Sequence, residues 1–242
     1  MPKQSSDERE DPRRAFLLKA LAAGMFAVGG WAGGVPGAGA QIFGRRPQPL
    51  PPGRSIYETT GPVTVNGQPA TAATRIGPTD RIETGKGAQL IFVVGADAFI
   101  VRENSQLELS GRDTLISALR VITGGLLSVF GTGSKQVHTS TAQLGIRGTG
   151  LYVESQPDQS YVCTCYGELL ITVAGDPSVS ERIVSKHHDA PRYVLRAGAA
   201  RRIRPAPFIN HTDLELMLIE SLVGRKPPFS LFDEEYGGSR RY

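Results

Sequence analysis

The chain has 242 residues, of which 40% are apolar and 21% charged, ordinary values for a folded protein that exclude wholesale disorder. Its 27 basic and 23 acidic residues are mixed along the chain and leave a formal charge of +4, which argues against a nucleic-acid-binding stripe. Two cysteines are too few for a disulfide scaffold or a four-cysteine zinc module.

Residues 1–40 read as an export segment. Arg13 and Arg14 precede a Phe-Leu-Leu run, a soft glycine-rich apolar stretch follows, and Ala38-Gly39-Ala40 forms a small-x-small cleavage pattern with Gln41 as the new N-terminus. The paired arginines resemble a twin-arginine signal, which predicts a periplasmic location with no membrane attachment after cleavage. An uncleaved signal would instead leave a single anchor. Residues 41–56 are a proline-rich linker, with Pro47, Pro49, Pro51 and Pro52 favouring an extended spacer.

From Tyr57 onward, short apolar runs alternate with turn residues. Val63 and Val65 lead into Asn66-Gly67, a strong hairpin signal. Strands are expected at 89–94, 99–102 and 106–109, separated by Gly95-Ala96-Asp97 and Asn104-Ser105. Gly124-Gly125 should make another tight reversal, and Arg147, between Gly145 and Gly148, should sit at a turn. Further strands are expected at 137–141, 150–155, 161–165 and 169–173. The fold class is therefore mostly β: an antiparallel sandwich or short roll. One helix closes the pattern at 213–223. Thr212 and Glu215 form a capping box, Gly224 supplies the stop, and Leu214, Met217, Leu218 and Leu222 should face the β body.

Four segments in order carry a family resemblance: residues 61–67 through Asn66-Gly67, residues 79–85 from Thr79-Asp80 to Thr84-Gly85, residues 124–129 from Gly124-Gly125, and residues 141–149 ending in Arg147-Gly148-Thr149. Together they resemble the periplasmic β domain of the FecR family, named for a regulator of iron-dicitrate transport. The resemblance implies a FecR-like β domain at 57–155, followed by a β extension at 156–204 and a helix and tail at 205–242. Signalling members carry a cytoplasmic anti-sigma region before this domain. About 12 residues precede Arg13, too few for such a region to fold. The expected role is a non-enzymatic binding or signalling-accessory module whose partner is an envelope protein or a ligand.

Chemistry-bearing residues cluster after residue 160. Cys163 and Cys165 are two apart in an expected strand, so both thiols point from one face. With His187, His188 and His211 they form a candidate copper or zinc set, because thiolate and neutral imidazole suit both metals. Alternatively, the cysteines are a strained local disulfide or buried small apolar groups. No phosphate-binding loop, nucleophile elbow or His-Glu-x-x-His helix is present, so no enzyme activity and no cofactor are expected, with copper or zinc at the Cys/His set as the alternative.

Overall fold

The computed structural model describes residues 47–196, 198 and 201–229. The export segment, the cleavage site and the tail beyond 229 lie outside the described residues. Among the described residues, fourteen strands form one sheet, and one α-helix follows. The first seven strands are β1 (Ile56–Thr60), β2 (Val63–Val65), β3 (Gln68–Pro69), β4 (Arg81–Thr84), β5 (Gln89–Val94), β6 (Asp97–Val101) and β7 (Gln106–Arg112). Next come β8 (Leu115–Val129), β9 (Ser134–His138), β10 (Ala142–Ser155), β11 (Gln159–Val173), β12 (Asp176–Ser185), β13 (Arg192–Leu195) and β14 (Ile203–Pro205). The helix, α1, spans Asp213–Leu222.

The sheet runs β14-β13-β11-β10-β9-β8-β7-β4-β2-β3, with β1, β5 and β6 joining through β8 and β12 joining through β11. Its pairings are antiparallel except for β8 with β9. Asn66 and Gly67 both adopt positive φ, as the tight turn between β2 and β3 requires.

Three long strands, β8, β10 and β11, change partners partway along. The first part of β8 pairs with β7, and the part from Gly124 to Val129 pairs with β10. β10 lies beside β9 through Arg147 and beside β8 from Gly150. β11 bonds β13 near its start and β12 from Gly167 onward. The sheet thereby bends on itself, and the residues of its inner faces, among them Phe92, Phe99, Leu126, Val137, Leu144 and Ile171, form one buried cluster.

The glycines expected to end strands bend them instead. Gly124 lies inside β8 with φ +83°, and a Cβ there would lie 2.1 Å from the Ser105 Oγ, so only glycine permits this close approach. Arg147 is a strand residue of β10 opposite Ser134 and Glu168, next to an irregularity at Gly148. The separate strands expected at 161–165 and 169–173 are one strand, β11, passing through Gly167 at φ +92°. A left-handed residue inside a strand produces a bulge and a bend without breaking the ladder on both sides.

β6 is buried along its whole length, which requires cover on both faces. Phe99 and Val101 enter the central cluster, while α1 lies over β6 and β8 on the opposite side. Thr212 and Glu215 complete the expected capping box. At the other end, the Gly224 amide donates to the Ser221 carbonyl at 3.1 Å and the Arg225 amide to the Glu220 carbonyl at 2.9 Å, a Schellman ending with Gly224 at φ +72°. The helix is turned from the expected face. Leu218 and Leu222 are buried, but Leu214 and Met217 are only half-buried, and Leu216 and Ile219 take the inner positions. Apolar residues occupy nearly every side of this helix, so polar pairing decides its rotation. Glu215 and Glu220 are both buried, bonded to Arg102 and Arg225 at 2.6 and 2.7 Å.

Candidate metal centre

Cys163 and Cys165 project from the same side of β11, as their spacing predicts, and both are fully buried. They are not joined in a disulfide. Thr164 between them faces the other way, so the two sulfurs lie on the outer side of the sheet, where the segments flanking α1 cross it. Tyr161, two residues earlier on the same side, accepts from the Ile209 amide at 3.3 Å and donates to the Pro207 carbonyl at 3.0 Å. This hydroxyl holds the segment that delivers His211.

The connection between β12 and β13 delivers the other histidines. Asp189 draws it into a tight turn, accepting from the Lys186 amide at 2.6 Å and the His187 amide at 3.3 Å. His188 adopts φ +55°, and its amide donates to the Cys165 carbonyl at 2.9 Å. The imidazole is thereby placed directly over the two thiols.

Four of the five sequence-predicted ligands converge. One donor atom from each of Cys163, Cys165, His188 and His211 lies within 4.8 Å of every other. His188 Nδ1 is 3.4 Å from Cys163 Sγ and 3.2 Å from His211 Nε2. A tetrahedral ion bound at ordinary zinc distances separates a sulfur from a nitrogen ligand by about 3.6 Å and two nitrogens by about 3.3 Å. These two edges therefore already have the dimensions of a coordination polyhedron, and the widest separation needs to contract by only about 1 Å. His187 does not join. Its Nε2 turns to Asp213 at 2.9 Å, on the far side of His188.

The outer bonds orient both imidazoles. His188 Nε2 lies 3.0 Å from Asp213 Oδ1, and His211 Nδ1 lies 2.7 Å from the Ile209 carbonyl. Each outer nitrogen faces an acceptor and so carries the proton, which leaves both inner nitrogens as lone-pair donors directed at one another. Two lone pairs at 3.2 Å need a proton or a cation between them. Outer acceptors of this kind are the usual supports of metal-binding histidines.

A proton can serve in the metal-free protein. Burial opposes charge on His188, but hydrogen bonds to Asp213 and Cys163 outweigh it and push its pKa up to about 9. A hydrogen bond from Cys165 holds the Cys163 thiol well below its usual range against the effect of burial, and bonds to His188 and His211 add to this. Burial and the neighbouring Cys163 push the Cys165 thiol well up. The metal-free cluster thus favours negative charge on Cys163 over Cys165 and positive charge on His188.

Aromatic rings close the cluster off. Tyr152 stacks on His211 with centroids 4.5 Å apart, and Phe208 sits 4.4 Å from His188 and 4.6 Å from His211. Asp213 and these rings were not singled out from sequence. Asp213 could have been sought as an acidic first-turn residue two positions after His211, but nothing in sequence marks Tyr152 or Phe208. Beyond His187 lies a cleft of about 930 Å³ lined in part by Phe130, Tyr166, Arg225 and Phe229. Away from the cluster, Glu83 and Glu108 pair with Arg81, and Asp80 accepts from Asn66. Arg202 pairs with Asp176 at 2.9 Å.

No protein-family model matches the sequence, and no curated protein matches it. Among solved structures, the chain is similar to two crystal structures, at 1.65 and 2.50 Å resolution, of a protein provisionally described as an anti-sigma factor from Parabacteroides distasonis ATCC 8503. Each aligns with a TM-score of 0.43 and 10% identity, covering 52% of this chain and 58% of the other. The chain thus spans less than two thirds of the length of the proteins it resembles. Among the described residues, no helix is long and apolar enough to cross a membrane.

Proposed function

We propose that this is an exported, non-catalytic binding module whose ligand is a transition metal, zinc or copper, held by Cys163, Cys165, His188 and His211. The observation that carries the reading is the convergence of two thiols and two imidazoles, with His188 Nδ1 3.2 Å from His211 Nε2 and 3.4 Å from Cys163 Sγ. Four protein ligands leave no open coordination position for a substrate, which distinguishes such a centre from a catalytic one. A dithiol redox site needs solvent or partner access to its sulfurs, and both are fully buried.

The FecR resemblance and the export signal supply the setting: a periplasmic signalling-accessory protein that meets an envelope partner. In support, the segments carrying the resemblance all lie in one sheet with the cysteine strand, so a metal bound at β11 is linked mechanically to that framework. The test is elemental analysis of protein purified from the periplasm without a metal-affinity tag. Stoichiometric zinc or copper, lost in the Cys163→Ser, Cys165→Ser double variant, is the expected result. Protein free of both metals would overturn the reading. Changing Arg13 and Arg14 together to Lys should trap the precursor in the cytoplasm; unimpaired export would refute the twin-arginine route.

A further inference from the structure

We infer that the ion is zinc(II) and that its binding fastens α1 to the sheet, making the docking of the C-terminal part of the chain metal-dependent. The inference rests on the metal-binding reading and adds the identity of the ion and the consequence of loading.

Charge selects the ion. The centre is enclosed by the sheet, by Tyr152 and by Phe208, and its thiol ligands bind as thiolates. Two thiolates and a divalent ion sum to zero, whereas two thiolates and copper(I) leave a net negative charge in a poorly solvated site. The nearest acidic group, Asp213, cannot offset that deficit, because it is itself an anion lying between the outer nitrogens of His187 and His188. Geometry points the same way: two sulfurs and two nitrogens in a tetrahedral arrangement suit zinc, while copper(II) favours a tetragonal plane of nitrogen and oxygen.

Connectivity gives the consequence. The ligands come from three separate segments: the middle of β11, the β12–β13 connection, and the strap leading into α1. The first two are already tied by the bond from the His188 amide to the Cys165 carbonyl at 2.9 Å. His211 is the ligand on the third, two residues before the first residue of α1, and Asp213, that first residue, holds the outer nitrogen of His188. An ion that gathers His211 to the thiolates therefore fixes the start of the helix over the sheet. Without the ion, the strap is held by the Tyr161 hydroxyl, by Asp213 on His188 and by the Arg102–Glu215 pair, and the ion adds a direct bond from His211 to the same centre.

Zinc alone is the probe. Mature protein is stripped with a chelator and reloaded with zinc(II), with cobalt(II) as a spectroscopic substitute, or with copper(I) under anaerobic conditions. Zinc should slow hydrogen exchange of the α1 amides by roughly tenfold or more while leaving the β4 and β7 amides unchanged. Cobalt should give the intense visible bands of a tetrahedral site together with thiolate charge transfer. Asp213→Asn should weaken zinc binding roughly 10–100-fold while the cobalt spectrum keeps its tetrahedral form.

The outcomes separate the two levels of the argument. If no metal binds, the metal-binding reading itself fails. If zinc binds but exchange in α1 is unchanged, the fastening role is wrong and the reading stands. If equimolar copper(I) displaces zinc and gives the same protection of α1, the assignment of the ion is wrong and the fastening role stands. Should the cysteine variants fail to fold, His211→Gln serves in their place: it removes the ligand on the α1 strap and should abolish the zinc-dependent protection.

Discussion

Arg102, the residue after β6, and Glu215, in the first turn of α1, are 113 residues apart in sequence and meet at 2.6 Å. One oxygen of Glu215 takes the guanidinium while the other closes the capping box on the Thr212 amide at 2.9 Å. Arg102 also donates to the Asn210 carbonyl at 3.1 Å and lies over the Tyr152 ring, 5.8 Å from its centroid. Tyr152 in turn stacks on His211, so the pair holds the strap that presents a metal ligand. Both side chains are largely buried, and removing one leaves the other as an uncompensated charge. Arg102→Ala should therefore cost about 3–5 kcal/mol in urea unfolding. A loss below about 1 kcal/mol, the size of a surface pair, would show that solvent reaches this contact.

The rotation of α1 predicts a contrast between neighbours. Ile219 is fully buried and Leu214 only half so. Ile219→Ala should cost about 2–5 kcal/mol, because a buried side chain is removed and a cavity is left. Leu214→Ala should cost clearly less. Equal costs, or the reverse order, would restore the face expected from sequence. Leu218→Asp, which puts an unpaired charge into the buried face, should be worse than either.

Acid should loosen the turn that carries His187 and His188. The hydrogen bond from the Lys186 amide lowers the Asp189 pKa against the opposing effect of burial, and bonds from the His187 amide and Ser185 lower it further. A carboxyl with a depressed folded pKa adds stability that is fully present above its unfolded value and is lost as pH falls through the folded one, so the effect belongs below about pH 4. Asp189→Asn removes that titration. Thermal melts across the acid range should show a shallower decline for the variant than for the parent. Superimposable acid limbs would contradict the assignment.

The glycines mark the boundary of what the sequence made legible. Asn66-Gly67 was read correctly because a two-residue turn is a local event and both residues need positive φ. Gly124 and Gly167 carry the same local signal, yet the chain continues as strand through each. Whether such a residue turns the chain or bends it depends on which strands pair on either side, and that is decided by residues far away in sequence. The export segment expected at residues 1–40 lies outside the described residues.

The candidate site divides along a similar line. Two cysteines at i and i+2 must share a face of a strand, so their alignment followed from β geometry alone. That His188 meets them while its neighbour His187 turns to Asp213 depends on the positive φ at His188 and on the turn around Asp189. Helix periodicity likewise placed Leu218 and Leu222 correctly. It could not choose the rest of the face, because Glu215 and Glu220 look solvent-exposed until Arg102 and Arg225 are seen beside them.

The central claim is a metal held by two sulfurs and two nitrogens. X-ray absorption at the metal edge of protein isolated from the periplasm tests it most directly. The account predicts a first shell of two sulfur scatterers near 2.3 Å and two imidazole nitrogens near 2.0 Å, with the sulfur shell lost in the Cys163→Ser, Cys165→Ser variant. A first shell of oxygen and nitrogen alone would contradict it.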